Sequence, residues 1–216
     1  DNVVIEKYRL VADPLNSGQF WLMVGGSIGR DWIDLRKGTG AATVRLELDE
    51  RDFATPDIDR QFTETISRIL VYAQDGNDDI DVWNSFGLIP VEVYGGAGAD
   101  SLEGGNANDL LDGGAGSDHL EGDDGDDILI GAHGRDHLEG NRGNDLLIGG
   151  VGVDDLDGGH DGDHDDNDDN DGDGRHGDDD ERDDDNHGEM GNDVLLGGEG
   201  NDNLDGDEGN DRLFGG

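Results

Sequence analysis

The chain has 216 residues, no cysteine and a formal net charge of −42. Acidity on this scale repels nucleic acid and anionic lipid, so neither is an expected partner, and it draws cations. Disulfides are excluded, and no apolar run approaches the about 18 residues needed to cross a bilayer, so membrane insertion is not expected.

The charge is uneven. Residues 1–72 hold 12 acidic and 9 basic residues, whereas the remaining 144 hold 44 acidic and 5 basic ones. Beyond Tyr94 the only Phe, Tyr or Trp is Phe214. Two regions with different physics therefore meet near residue 73. The chain opens on Asp1 and shows no signal peptide, which reads as a processed product or an excised fragment.

Residues 1–72 read as a β-rich N-terminal region. Val44-Arg45-Leu46-Glu47-Leu48 alternates as a half-buried strand does. Gly25-Gly26-Ser27-Ile28-Gly29 has the spacing of a hydrolase nucleophile elbow. No helical period follows it and no Asp…His pair stands in the expected context. It reads instead as a glycine turn before a faint repeat, Gly29-Arg30-Asp31-Trp32-Ile33. Ile69-Leu70-Val71-Tyr72 is a further strand. Residues 73–94 hold a degenerate repeat around Gly76, Asp78 and Ile80, then a lead-in strand, Ile89 to Tyr94. This half is expected to cap the region downstream, because an open repeat stack exposes strand edges.

From Gly95 to Asp157, seven nine-residue units run back to back, beginning GGAGADSLE and GGNANDLLD. Three more span Gly188 to Phe214, within residues 188–216. All ten units have Gly first, Asp sixth and Leu eighth, and nine have Gly fourth, Ala107 being the exception. Residues 158–187 separate the two sets with 15 acidic residues in 30. One decayed unit survives there, Gly174 to Glu181, with Glu181 where leucine belongs. A charge cannot replace an interior leucine without a partner, so this stretch is expected to loop out as a mobile acidic segment.

Ordering one residue costs about 1–2 kcal/mol, and a buried leucine returns about 1.5–3 kcal/mol. One leucine per nine residues is too little. Each unit also adds a carboxylate, and stacking brings these close together, so a cation must bridge them. Glycine turns can aim backbone carbonyls inward. Carbonyls and carboxylates are hard oxygen donors of the kind Ca²⁺ takes six to eight of, whereas Mg²⁺ prefers to keep its waters.

The units resemble the hemolysin-type or RTX (repeats-in-toxin) nonapeptide, G-G-x-G-x-D-x-U-x, a known Ca²⁺-binding parallel β-helix repeat. The resemblance implies an all-β, right-handed parallel β-roll in which two units make one coil, six positions forming the turn and three the strand. It implies several Ca²⁺ ions, each held between turns 18 residues apart. The family's ligand pattern sets Gly96, Gly98 and Asp100 against Gly113, Ala115 and Asp118. On the other side it sets Gly105, Ala107 and Asp109 against Gly122, Asp124 and Asp127. Asp136, Asp145, Asp154, Asp193, Asp202 and Asp211 continue the pattern, and Asp78 precedes it. The leucines from Leu102 to Leu156, with Leu195, Leu204 and Leu213, are expected to fill the interior. Gly215-Gly216 opens another unit, and the family's C-terminal flanking segment is missing, which favours a fragment.

Other signals read as bland. Asp169 to Asp180 partly fits an EF-hand loop, but Asp stands in place of the bidentate Glu and no amphipathic helix flanks it. No HExxH accompanies the seven histidines; His119 and His137 share one unit position two units apart and should stack on an outer face. An Asp in every unit is not the singular pair of a glycosidase, so no enzyme is expected. The chain reads as a secreted, extracellular calcium-binding module that folds on Ca²⁺. The alternatives are the accessory part of an exoenzyme or toxin, and a cell-surface adhesin or spacer. No protein partner is identified.

Overall fold

The structure is a computed structural model that describes residues 8–26, 30–37, 44–50, 58–62, 65–82, 89–159, 191–207 and 209–216. A unit of one inward leucine between two outward residues, followed by a glycine turn, makes half of a flattened coil. Two units close the coil, so equivalent residues meet 18 positions apart, as Asp100 meets Asp118.

Among the described residues, strands numbered in chain order form two nine-stranded sheets and no helix. The first sheet runs β1 (Tyr8–Ala12), β2 (Phe20–Gly25), β6 (Ile66–Asp75), β8 (Val91–Ala97), β10 (Leu110–Gly116), β12 (Ile128–Gly134), β14 (Leu146–Gly152), β16 (Val194–Gly200), β18 (Arg212–Phe214). The second runs β17 (Asn203–Asp205), β15 (Asp155–Asp157), β13 (His137–Glu139), β11 (His119–Asp123), β9 (Ser101–Gly105), β7 (Asp79–Val82), β3 (Asp31–Lys37), β4 (Val44–Glu50), β5 (Ile58–Phe62). The repeat strands pair in parallel, Leu110 beside Ile128 and Leu120 beside Leu138. This is the parallel β-roll that the repeat implies, a solenoid of about 6 turns.

The N-terminal half builds the first coils of the same sheets. β2, β6 and β8 join the first sheet in parallel, and β3 and β7 join the second. Antiparallel strands then close this end: β1 lies on β2, and β4 and β5 extend from β3. The strand expected at Val44–Leu48 is β4, and Asp13 pins the β1–β2 link. Its carboxylate accepts the Ser67 hydroxyl at 2.7 Å, the Asn16 side-chain amide at 2.9 Å and the Leu15 N–H at 2.8 Å, and these bonds, the Ser67 one foremost, hold it well below the usual carboxylate range.

Strand length departs from the expected three positions per unit. In the second sheet β13, β15 and β17 keep to three residues, whereas the repeat strands of the first sheet from β10 to β16 run for seven. There the pairing continues into the turn, Gly114 beside Gly96 and Ala115 beside Ala97. Small residues leave the backbones free to approach, so the ladder does not stop where the leucine does.

The interior is one column of aliphatic side chains. Leu102, Leu111, Leu120, Leu129, Leu138, Leu147, Leu156 and Leu195 are buried, and Ile80, Ile33 and Leu22 prolong the column toward the N-terminus. Leu204 is only partly covered, and Leu213, on the last strand, is 45% exposed.

Successive units differ on the outside. Those beginning at Gly95, Gly113, Gly131, Gly149 and Gly197 place their strands in the second sheet. There Glu103, Glu121, Glu139, Asp157 and Asp205 stack. His119 and His137 stack beside them with ring centroids 5.0 Å apart. The alternate units place theirs in the first sheet, where the equivalent outward residues are mainly aliphatic.

Candidate metal centre

The sixth-position aspartates form two rows, one along each edge of the roll. In the first, the Asp78 N–H donates to Asp100 Oδ1 at 2.8 Å, Asp100 to Asp118 at 2.9 Å, Asp118 to Asp136 at 3.0 Å, Asp136 to Asp154 at 3.0 Å and Asp154 to Asp202 at 3.1 Å. In the second, Val91 donates to Asp109 at 2.7 Å, and the sequence continues through Asp127, Asp145, Asp193 and Asp211. Each carboxylate thus ties its own turn to the preceding one through Oδ1.

The other oxygen is what marks a ligand site. The Oδ2 atoms of Asp78, Asp100, Asp109, Asp118, Asp127, Asp136 and Asp154 are buried without a hydrogen-bond partner. An unpartnered buried carboxylate oxygen is costly, and a repeated set of them requires a common explanation. Burial pushes Asp78 and Asp118 up to about 6, Asp109 up to about 8 and Asp127 up to about 9. Asp100, Asp136 and Asp154 move the same way for the same reason. These carboxyls resist charging unless a cation accompanies them.

Two glycine positions make room for this arrangement. A Cβ on first-position Gly113 would stand 2.6 Å from Asp118 Oδ2, so that glycine leaves space for the carboxylate of its own unit. A Cβ on fourth-position Gly116 would stand 1.3 Å from the Gly98 carbonyl oxygen. The Gly96 and Gly98 carbonyls therefore point forward at the next turn. The Gly113 carbonyl points back at Gly95, 2.7 Å from where its Cβ would be, and Ala115 accepts the Gly98 N–H at 2.8 Å. Six predicted residues, Gly96, Gly98, Asp100, Gly113, Ala115 and Asp118, thus line one gap between turns.

The opposite edge repeats this. The Gly105 carbonyl accepts the Asp124 N–H at 3.0 Å, and Ala107 presents its carbonyl oxygen 2.2 Å from the Cβ position of Gly125. Gly122 presents its carbonyl 2.9 Å from the Cβ position of Gly104. Only the backbone of Asp124 faces the gap; its carboxylate accepts from the Asn106 amide at 2.6 Å and pairs with Arg142 at 3.5 Å. Carbonyls already in a ladder bond keep a second lone pair. The two rows stay on separate edges and do not combine into one centre.

Among the described residues, no three His, Cys, Asp or Glu side chains converge on one point. A cation held here draws most of its ligands from carbonyls, which suits a large hard ion such as Ca²⁺. His137 instead meets Glu139 at 2.7 Å and Asp155 at 3.7 Å on the outer face.

The stacks extend beyond the residues that the repeat assigns as ligands. The Asp31 N–H donates to Asp78 Oδ1 at 2.7 Å, adding one more rung to the first row. The signal was there: Gly26, Asp31 and Ile33 stand at positions one, six and eight of a faint unit. In the second row the fifth-position residues also stack, with Asn144 N–H on Asp126 Oδ1 at 3.0 Å and Asn192 N–H on Asn144 Oδ1 at 3.1 Å. Gly158 and Gly159 belong to the stack as well. The Cβ position of Gly158 lies 2.7 Å from Asp193 Oδ2, and that of Gly159 lies 2.3 Å from Asn141. From His160 onward the acidic segment, with its EF-hand-like stretch and decayed unit, lies outside the described residues, as do Ser27 to Gly29.

The RTX calcium-binding nonapeptide repeat family matches residues 94–129, 130–164 and 187–216, in 4 copies. No curated protein and no solved structure matches the chain. No helix among the described residues is long and apolar enough to cross a membrane.

Proposed function

We propose that this chain, an RTX hemolysin-type calcium-binding repeat protein, is a secreted module that folds when its turns take up several Ca²⁺ ions. The observation that carries the reading is the repeated burial of Asp Oδ2 atoms without partners, in both rows. Bound Ca²⁺ supplies the positive charge those oxygens lack. One set of ligands comprises Gly96, Gly98 and Asp100 with Gly113, Ala115 and Asp118; the other comprises Gly105, Ala107 and Asp109 with Gly122, Asp124 and Asp127. Asp136, Asp154 and Asp202 carry the first row onward, Asp145, Asp193 and Asp211 the second, and Asp78 heads the first.

The chain's own part is to gather the carboxylates at fixed spacing and to keep water away from them. Where calcium is scarce, acidic repulsion and a thin leucine core leave the chain expanded. Extracellular modules of this ligand type bind at about 10⁻⁴–10⁻³ M, so calcium outside a cell fills the sites, and binding to the folded state alone adds to its stability.

A calcium titration of the full chain followed by circular dichroism tests this. β structure should appear with calcium and much less with magnesium. Asp118→Ala should move the calcium midpoint upward by about tenfold, the scale of losing one charged ligand interaction. Complete β structure in chelator, or no response to calcium, overturns the reading.

A further inference from the structure

The two units of each coil share an interior leucine but face outward differently. Beside the interior leucines of β12, β14 and β16 the outward residues are Ile128 and Ile130, Leu146 and Ile148, and Val194 and Leu196, all aliphatic; toward the far ends of the same strands stand the exposed His133, Val151 and Glu199. Ile128 is 39% exposed, and Val151, farther along β14, is 45% exposed. No described element packs over this face. In a chain of 56 acidic and 14 basic residues, six aliphatic outward side chains on three adjacent strands, with Glu199 as the one acidic residue on those strands, form an unusual surface.

We propose that this face pairs with the same face of a second copy, forming a calcium-dependent dimer. The proposal rests on the calcium-folding reading, because only the folded stack aligns these strands. The flanking charges argue for a copy of the same chain. β10 carries Asp112 on one side of the patch and β18 carries Arg212 on the other, each two strands from β14.

A two-fold axis along β14 lays β12 on β16 of the other copy and β10 on β18. Aliphatic residues then meet aliphatic residues, and each Asp112 comes beside the other copy's Arg212. Facing sheets pack about 10 Å apart, within reach of an arginine side chain. The stacked Glu103, Glu121 and Glu139 of the second sheet point away from such an interface. Five strands at about 4.8 Å spacing make a patch roughly 24 Å long. With the two outward residues of each strand about 7 Å apart, the band is on the order of 10 Å wide and 240 Å² in area, well short of the roughly 800 Å² per partner of a standard stable interface, so the pairing is reversible and concentration-dependent.

Sedimentation velocity of the full chain, in calcium and in chelator, with circular dichroism on the same samples, tests the proposal. A dimer should form in calcium only. Ile148→Lys sets like charges face to face near the axis and should weaken association by about tenfold or more, with the β signal kept. Arg212→Asp should weaken it too, and adding Asp112→Arg should restore it. That exchange decides the matter alone if Ile148→Lys disturbs folding. A folded, calcium-loaded chain that stays monomeric at millimolar concentration overturns the proposal, as does a dimer indifferent to both substitutions. A folded monomer that floats with phosphatidylcholine vesicles overturns it in favour of a lipid surface. Absence of calcium-induced β structure is read separately by dichroism; it overturns the folding reading and the dimer with it.

Discussion

Ala132 holds the second position of its unit at φ 71°, a conformation otherwise taken there mostly by glycine. Left-handed backbone costs an L-residue about 1–2 kcal/mol, while glycine loosens the unfolded chain by about 0.4–1 kcal/mol. The first effect is the larger, so Ala132→Gly should stabilise the calcium-loaded chain by about 0.5 kcal/mol, seen as a small rise in Tm. Gly116→Ala should do the reverse: at φ 154°, with the Gly98 oxygen 1.3 Å from its Cβ position, it should cost on the order of 1–3 kcal/mol and raise the calcium midpoint. Two neutral substitutions would mean that the native turns do not use positive φ at these positions. The fourth-position requirement is legible in the sequence because nine of ten units obey it. The second-position requirement is hidden, because Asp123 and Asn141 take positive φ too, with short polar side chains that tolerate it.

At the scale of elements, β14 and β16 are neighbours although Leu146 pairs with Val194 across the acidic segment. Gly158 and Gly159 serve as the first two positions of a unit whose later positions begin at Gly191. Deleting residues 161–190 would join them through His160 into Gly-Gly-His-Gly-Asn-Asp, an unbroken unit. This shortened chain should fold with calcium at a midpoint within about twofold of the parent, since no described contact is lost; loss of calcium-induced β structure would show that the segment takes part in the stack. Gly188 stands at the same spacing from Asp193 in the sequence, which is why the sequence reading restarts the repeat there; Gly188 lies outside the described residues.

The Asp rows make a second element-scale prediction. Burial raises Asp109 to about 8 and Asp127 to about 9, whereas an unfolded carboxyl ionises near about 4. Without metal, their contribution to stability is fully present below about pH 4 and is lost as pH rises through those folded values. Metal-free chain should therefore show more β structure at pH 5 than at pH 9, by dichroism in chelator. Calcium affinity should run the other way, rising with pH, because the ligand form is the carboxylate.

For the whole molecule, the decisive quantity is a net charge of −42 on 216 residues. Scattering should register calcium as collapse. The radius of gyration should fall from about 50 Å, the expanded value for this length, to less than about half of that. An equal radius in chelator would count against metal-coupled folding. The β-roll itself was legible through the family resemblance, which Gly, Asp and Leu held in phase over ten units carry. The N-terminal end was less so: Gly29, Asp31 and Ile33, and Gly76, Asp78 and Ile80, keep positions four, six and eight of faint units, but the antiparallel β1, β4 and β5 that close this end follow no repeat and are set by long-range pairing. The two chemical faces were not legible at a period of nine, because that period averages over them. Their alternation has a sequel in heredity. The chemical repeat of this chain is eighteen residues, so gaining or losing a single nonapeptide would turn every later coil over and carry aliphatic side chains onto the acidic side. Only a gain or loss of units in pairs would keep the two faces aligned, and across the interruption after Gly159 that parity holds, β16 following β14 in the first sheet.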